Sequence, residues 1–438
     1  MKTSKKISTQ KYILSFMGFW VILLFFNACK KEITETEVSS SSILYLKGSN
    51  NDKVTNVKAT KDGGFIFCGN TLAGLSNTQG FLLKVDGNGK QQWYRNYENT
   101  KLNTLEDVIE CSDGSFIAVG GTIYDEGFNL EYVLKTDAFG KKEWEKSFTY
   151  GSYSICNLKS VIQGKDNKIY ATGFYPSSRT FQAPWILCFD LDGNEIYSKQ
   201  IEGLPSYKPN YFNDNINLLN SGYGINLAIN SSNDLLISTQ FDIIITNDNS
   251  RIFCPGLISL TKDNFKINYY YPYENKPTPN GLGTAKIIPV SDGNLYFYNA
   301  DVKVGISNYP QIIMIKTDLN GVPLWTKSYK GLNSAILSDV FFESENSLII
   351  IGTTSSFPTN NAFKELFFVS NSMLLKVDNN GNELFSEYAK NSENVDVYKS
   401  IRKIINNEYL VAGYTSLNAT SYHKMFIKKL NDKAQLKF

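Results

Sequence analysis

Seven copies of one unit of roughly 50 residues predict an all-β chain folded as a seven-bladed β-propeller of four-stranded antiparallel blades. The unit is plainest at its last turn. Asp86-Gly87-Asn88-Gly89-Lys90-Gln91-Gln92-Trp93 returns as Asp137-Ala138-Phe139-Gly140-Lys141-Lys142-Glu143-Trp144 and as Asp318-Leu319-Asn320-Gly321-Val322-Pro323-Leu324-Trp325. Aligned on the residue that opens this turn, the units read Asp86, Asp137, Asp190, Thr261, Asp318, Asp378 and Asn431. Seven residues later stand Trp93, Trp144, Tyr197, Asn268, Trp325, Phe385 and Phe438. Only the fourth is not aromatic, and Tyr269 follows it directly.

The chain opens on a targeting segment, 1–28. Lys2, Lys5, Lys6 and Lys11 form a positive start, and Tyr12 to Ala28 is almost wholly apolar. An apolar run of this length also suits a signal anchor or a short membrane helix. Ala28-Cys29 at its end favours processing. Residues 29–42 read as a flexible tether, because Glu32 to Ser42 is acidic and Ser-rich and has too little apolar surface to order itself. The repeats occupy 43–438.

Within each unit an inner strand leads through a tight turn such as Lys61-Asp62-Gly63 to a second strand, Phe65-Ile66-Phe67-Cys68-Gly69. A loop of variable length leads to a third strand, Phe81 to Asp86, and the Asp-Gly-Asn-Gly turn to an outer strand at Trp93. Gly closes the second strand at Gly69, Gly120, Gly173, Gly352 and Gly413. The fourth and fifth units, Leu235-Leu236-Ile237-Ser238 and Leu295-Tyr296-Phe297-Tyr298, lack it. An aromatic at one fixed place per blade serves as a spacer between sheets rather than as a ligand cage. Ile43-Leu44-Tyr45-Leu46-Lys47-Gly48 precedes the first inner strand, while the seventh outer strand has only begun at Phe438. The N-terminal strand is therefore expected to close the last blade.

Composition narrows the chemistry. The formal net charge is +2, and 1–28 holds four Lys and no acid, so the remainder is −2. That is not the basic footprint of a nucleic-acid binder. Beyond Cys29, the cysteines Cys68, Cys111, Cys156, Cys188 and Cys254 lie in or beside apolar strands with no C-x-x-C, so zinc is not expected. They read as small buried hydrophobes, with an isolated disulfide still open in an oxidising envelope. The single histidine, His423, falls in a predicted loop, which removes His-pair metal sites. Asp190-Leu191-Asp192-Gly193-Asn194-Glu195 has acid spacing like a calcium loop, but Gly193 is fourth rather than sixth, and the stretch is already a hairpin turn. No metal and no cofactor is expected.

Phe26-Asn27-Ala28-Cys29 resembles the lipobox of bacterial lipoproteins, although that family prefers Leu at the place of Phe26 and a small residue at that of Asn27. The resemblance implies acylation of Cys29, cleavage before it, and attachment to the outer membrane through lipid. Cys29-Lys30-Lys31-Glu32 is similar to lipoproteins of the Bacteroidota. Asp-x-x-Gly-Lys-x-x-Trp at 86–93 and 137–144 resembles the tryptophan-docking motif of quinoprotein-like propellers, and the strand–turn–strand–Gly order is similar to Kelch-like repeats. Quinoprotein dehydrogenases typically have eight blades and a calcium-held quinone. Seven units are counted here without a matching ligand set, so that cofactor is not carried over.

The loops after the second and fourth strands share one face and vary in length. They are expected to carry Tyr175, Phe181, Tyr207, Tyr211, Phe212, Asn213, Tyr271, Tyr273, Phe357, Asn360, Asn361 and Phe363, the candidate binding residues. The same aromatics could instead pin their own long loops. No nucleophile elbow, phosphate loop or paired-His motif is present. The leading expectation is a non-catalytic binding or scaffold propeller for a glycan or an envelope protein. The alternative is an envelope glycan lyase or hydrolase with its site on the loop face. A third is an assembly factor docking onto a membrane machine.

Overall fold

The computed structural model describes residues 43–49, 52–73, 77–98, 102–123, 129–148, 156–176, 182–201, 216–245, 250–272, 284–304, 307–331, 334–344, 346–356, 369–389, 394–404, 408–417 and 423–431. Among the described residues there are 28 strands and no helix. They form seven four-stranded antiparallel sheets, the seven blades that the repeat predicts. Six blades are runs of consecutive strands. The seventh, Asn394–Lys403, Tyr409–Leu417 and His423–Leu430, takes its outer strand from Ile43–Tyr45. Ile43 pairs with Lys428, Leu44 with Ile427 and Tyr45 with Phe426. The N-terminal strand thus closes the last blade. Phe438, the aligned seventh aromatic, lies outside the described residues.

The second and third strands are continuous apolar runs because each blade is covered on both faces. Seven hydrophobic clusters result, one between each pair of neighbouring blades. The cluster that joins the last blade to the first packs Leu46, Val54 and Phe81 against Met425 and Ile427, so the ring is closed by apolar burial as well as by strand pairing.

The outer turns explain the aromatic series. Asp86 Oδ1 accepts the backbone N–H groups of Asn88 and Lys90, both at 2.9 Å, and Gly89 sits at φ 81°. The side chain thereby completes the turn that the backbone begins. The outer aromatic of one blade then lies on the turn glycine of the next. A Cβ on Gly140 would stand 2.8 Å from Trp93, and one on Gly193 would stand 2.9 Å from Trp144. Trp93 Nε1 donates to Ala138 O and Trp144 Nε1 to Leu191 O, each at 3.1 Å. These aromatics are spacers between blades. The fourth unit is also resolved. Its turn is one residue longer, closing from Thr261 N to Lys266 O where the first closes from Asp86 N to Lys90 O. The extra residue moves the aromatic to Tyr269, which packs on Gly321.

The second-strand glycines answer a bulge in the inner strand. Register shifts leave Thr55, Glu106, Lys159, Ser338 and Lys399 unpaired in five blades, each opposite such a glycine. A Cβ on Gly120 would meet Thr104 O at 1.9 Å. The fourth blade bulges at Ile225 and places its glycine, Gly224, on the inner strand instead. The fifth has neither bulge nor glycine.

Candidate functional site

The inner strands Asp52–Ala59, Leu102–Glu110, Asn157–Gln163, Ile216–Ile229, Ala285–Val290, Ser334–Ser344 and Asn394–Lys403 each come from a different blade. All seven contribute to the lining of a central cavity of about 180 Å³. The bulges supply most of that lining. Thr55, Glu106, Lys159, Ile225, Ser338 and Lys399 are the bulged residues of six blades, and Lys286 comes from the unbulged fifth.

The residues after the bulges bind blade to blade. Asn56 Nδ2 donates to Asp107 Oδ1 at 2.8 Å, and Asp107 Oδ2 accepts from Val161 N at 3.1 Å. Ser160 Oγ accepts from Leu227 N at 3.2 Å, and Asn226 Oδ1 from Ile287 N at 3.2 Å. A short polar side chain at this position satisfies a backbone donor of the neighbouring blade that has no ladder partner.

Charge is distributed unevenly around this ring. Glu106 lies 3.0 Å from Lys159 and also accepts from Asn157 Nδ2 at 3.3 Å. Asp107 is 3.4 Å from Lys58, and Asp339 is 3.0 Å from Lys286. Each of these carboxylates therefore has a lysine. Lys399 has no carboxylate within 4 Å among the described residues, and its Nζ stands 5.9 Å from the centre of the Tyr414 ring. Burial, followed by the charge of Lys286, holds the Lys399 ammonium below its ordinary pKa.

His423 begins a strand rather than lying in a loop, because the extended pairing of the last blade reaches back to it through Ser416. Its ring stacks on Tyr414 at 3.6 Å, and Nδ1 accepts the backbone N–H of Val54 at 3.0 Å across the closing seam. Burial first, then Lys399 and Lys53, push its pKa down to about 4, so the ring is neutral at pH 7. No sequence motif marks this role; a lone histidine carries no periodic signal.

One perturbed carboxyl lies away from the channel. Glu131 is fully buried, its oxygens have no hydrogen-bond partner among the described residues, and burial raises its pKa to about 8. Its neighbours are Cys156 and, across the strand ladder, Gly121. A signal for it exists in the repeat. The six corresponding positions hold Gly80, Pro184, Pro255, Ile312, Ser372 and Met425, none of them ionisable. Full burial removes Glu131 from contact with a ligand.

The residues expected to bind fall differently. Tyr175 and Tyr271 are not in loops: Tyr175 pairs with Ala183 and Tyr271 with Leu257, because their apolar runs continue the ladders. Phe181, Tyr207, Tyr211, Phe212, Asn213, Tyr273, Phe357, Asn360, Asn361 and Phe363 lie outside the described residues, as does Cys29. Cys68, Cys111, Cys156, Cys188 and Cys254 are buried, as the apolar strands imply, and none is in a disulfide among the described residues; burial pushes Cys68 up to about 12. On the opposite, short-turn face a groove of about 550 Å³ between the fifth and sixth blades is lined by Trp325, Phe342, Lys316 and Asn379. Trp325 is already engaged there as the spacer on Gly381.

No family model matches this chain, and no curated protein matches it. Solved structures do. The polysaccharide lyase Uly1 aligns over 91% of this chain and 94% of its own, at 10% identity and a TM-score of 0.51. An ulvan lyase of polysaccharide lyase family PL25 aligns over 90% and 96%, at 9% identity and a TM-score of 0.51. The β-propeller domain of the Trilobed protease from Pyrococcus furiosus aligns over 86% and 95%, at 10% identity and a TM-score of 0.46. At such identities the likeness to the two lyases is one of fold, and it places this chain among the β-propellers.

Proposed function

We propose that this protein is a lipid-anchored binding propeller of the bacterial outer membrane. It would be held through Cys29 and take a glycan or an envelope protein at the loop-face end of its central channel. The observation that carries the non-catalytic part is the state of the channel carboxylates. Glu106, Asp107 and Asp339 each pair with a lysine, and Asp107 also holds two neighbouring blades together. A general acid or base needs a carboxyl free to exchange its proton with substrate. These carboxyls serve the scaffold instead.

The second reading is a glycan lyase or hydrolase. It is favoured by two carboxylates, Glu106 and Asp107, and three lysines, Lys159, Lys286 and Lys399, lining one cavity, with Lys58 and Asp339 paired to members of that set, together with the architecture shared with two polysaccharide lyases. A glycan array and an envelope pull-down with the intact lipoprotein test the binding reading. Retention of a ligand that is lost on replacing Tyr207, Tyr211 and Phe212 with Ala, and kept on replacing Asn88, Lys141 and Asn320, supports binding at the loop face. The reverse pattern contradicts it. Anchoring has its own check: Cys29→Ser should abolish the lipid mass increment, and unchanged acylation would refute the anchor.

A further inference from the structure

The ring of bulged residues does more than line a hole. Its acids are concentrated in the second blade, Glu106 and Asp107, and each is tied to a lysine of an adjoining blade. Asp339 of the sixth blade is tied to Lys286 of the fifth. Lys399 of the seventh blade is left over. Its neighbours along the ring are two hydroxyl residues, Ser338 of the sixth blade and Thr55 of the first, all three lining the same cavity. Thr55 Oγ1 is committed to Leu105 O at 2.6 Å, whereas the Ser338 hydroxyl makes no hydrogen bond within the described residues. Among the described residues the channel thus contains a half-buried ammonium with no carboxylate within 4 Å and, lining the same cavity, a hydroxyl that makes no hydrogen bond.

We propose that this part of the channel is an oxyanion site, in which a carboxylate, sulfate or phosphate group of the ligand is held by Lys399, with Lys286 and Ser338 beside it. The proposal rests on reading the channel as the binding site, and it adds the class of ligand: an acidic glycan or an anionic group on a partner, rather than a neutral sugar. Repulsion supports it independently. At Lys399 burial and the charge of Lys286 outweigh the attraction of Asp339 and Glu106, which lie beyond 4 Å, and an anion placed between the two lysines would offset both destabilising effects. The Lys286 charge is only partly used, because Asp339 accepts it from one side at 3.0 Å. An anion larger than one charged group is not required; about 180 Å³ accommodates one oxyanion with bridging water.

The experiment uses the intact lipoprotein in detergent. Thermal unfolding and calorimetric titration are measured with sodium sulfate, sodium phosphate and sodium glucuronate, each against sodium chloride at equal ionic strength. The expected result is saturable stabilisation by at least one of the three beyond chloride, with the affinity reduced at least tenfold in Lys399→Met and retained in Lys399→Arg. The three arms separate carboxylate from tetrahedral oxyanions. Lys141→Met on the short-turn face is the control and should titrate like the wild type. The proposal is overturned if no anion stabilises the wild type beyond chloride, a result that needs no variant to fold. It is also overturned if a folded Lys399→Met keeps the full effect. Capture of an uncharged glycan by wild type and Lys399→Met alike would sink the oxyanion site while leaving the binding reading intact.

Discussion

His423 and Glu131 carry opposite pH signatures, and both follow from burial. The His423 pKa falls from 6.5 to about 4 in the fold. Its stabilising contribution is complete above pH 6.5 and is lost as the pH falls from there through about 4. His423→Gln keeps an acceptor for Val54 N, so its denaturant midpoint should change less than that of the wild type between pH 7 and 4.5. Equal loss in both proteins would show that the ring does not govern the seam. The Glu131 pKa rises from 4.5 to about 8. Its contribution is complete below pH 4.5 and is lost as the pH rises through about 8. Glu131→Gln should therefore gain on the wild type between pH 5 and pH 8.5, measured as the difference in melting temperature. A constant difference across that range would contradict the assignment. Neither role was legible residue by residue. Glu131 stands out only once seven third strands are aligned. His423 shows its role only in three dimensions, since its partner Val54 is 369 positions away.

At the scale of the element, the outer turn and the aromatic that rests on it form one device. Trp93 is 8% exposed, and its indole bridges two blades. Trp93→Ala should cost about 3–5 kcal/mol in denaturant unfolding, the range for a large buried aromatic. Gly140→Ala adds a Cβ 2.8 Å from the same ring at φ 76° and should cost about 1–3 kcal/mol. A change under half a kcal/mol in either variant would show that the contact is dispensable. This device was legible because its parts are fixed in spacing. The shifted aromatic of the fourth unit is legible too once the longer Thr261–Lys266 turn is known. The bulges were not. A bulge is one unpaired residue in a strand, and only its consequence, the glycine opposite, is written in the sequence. That is why Glu106, Lys159 and Lys399 did not stand out as channel residues. The reach of the ladders was likewise hidden, and Tyr175 and Tyr271 proved to belong to strands.

For the whole molecule, closure by Ile43–Tyr45 makes the ring depend on its first strand. Leu46 N donates to Met425 O at 3.0 Å, Lys47 and Gln91 exchange two hydrogen bonds, and Tyr94 OH donates to Asp52 at 2.8 Å in the adjoining blade. Deleting 43–46 should bare the edge of His423–Leu430 and promote edge-to-edge association, seen as higher mass in light scattering together with a lower denaturant midpoint. A monomer of unchanged midpoint would show that closure contributes nothing. Topology of this kind was legible from the repeat, since Ile43 to Gly48 precedes the first inner strand and its end resembles that of Trp325 to Gly331. The ligand was not, because repeats preserve what builds blades and leave the channel residues to differ from blade to blade. On the proposed function, this channel binds without cutting. Incubating the wild-type protein with the acidic polysaccharides it retains, and following new reducing ends and unsaturated-uronate absorbance against co-sedimentation, decides this. Binding with no new chain ends is the predicted result. Steady release of either product, abolished by Glu106→Gln or Asp339→Asn in a folded protein, would contradict it and establish the enzyme.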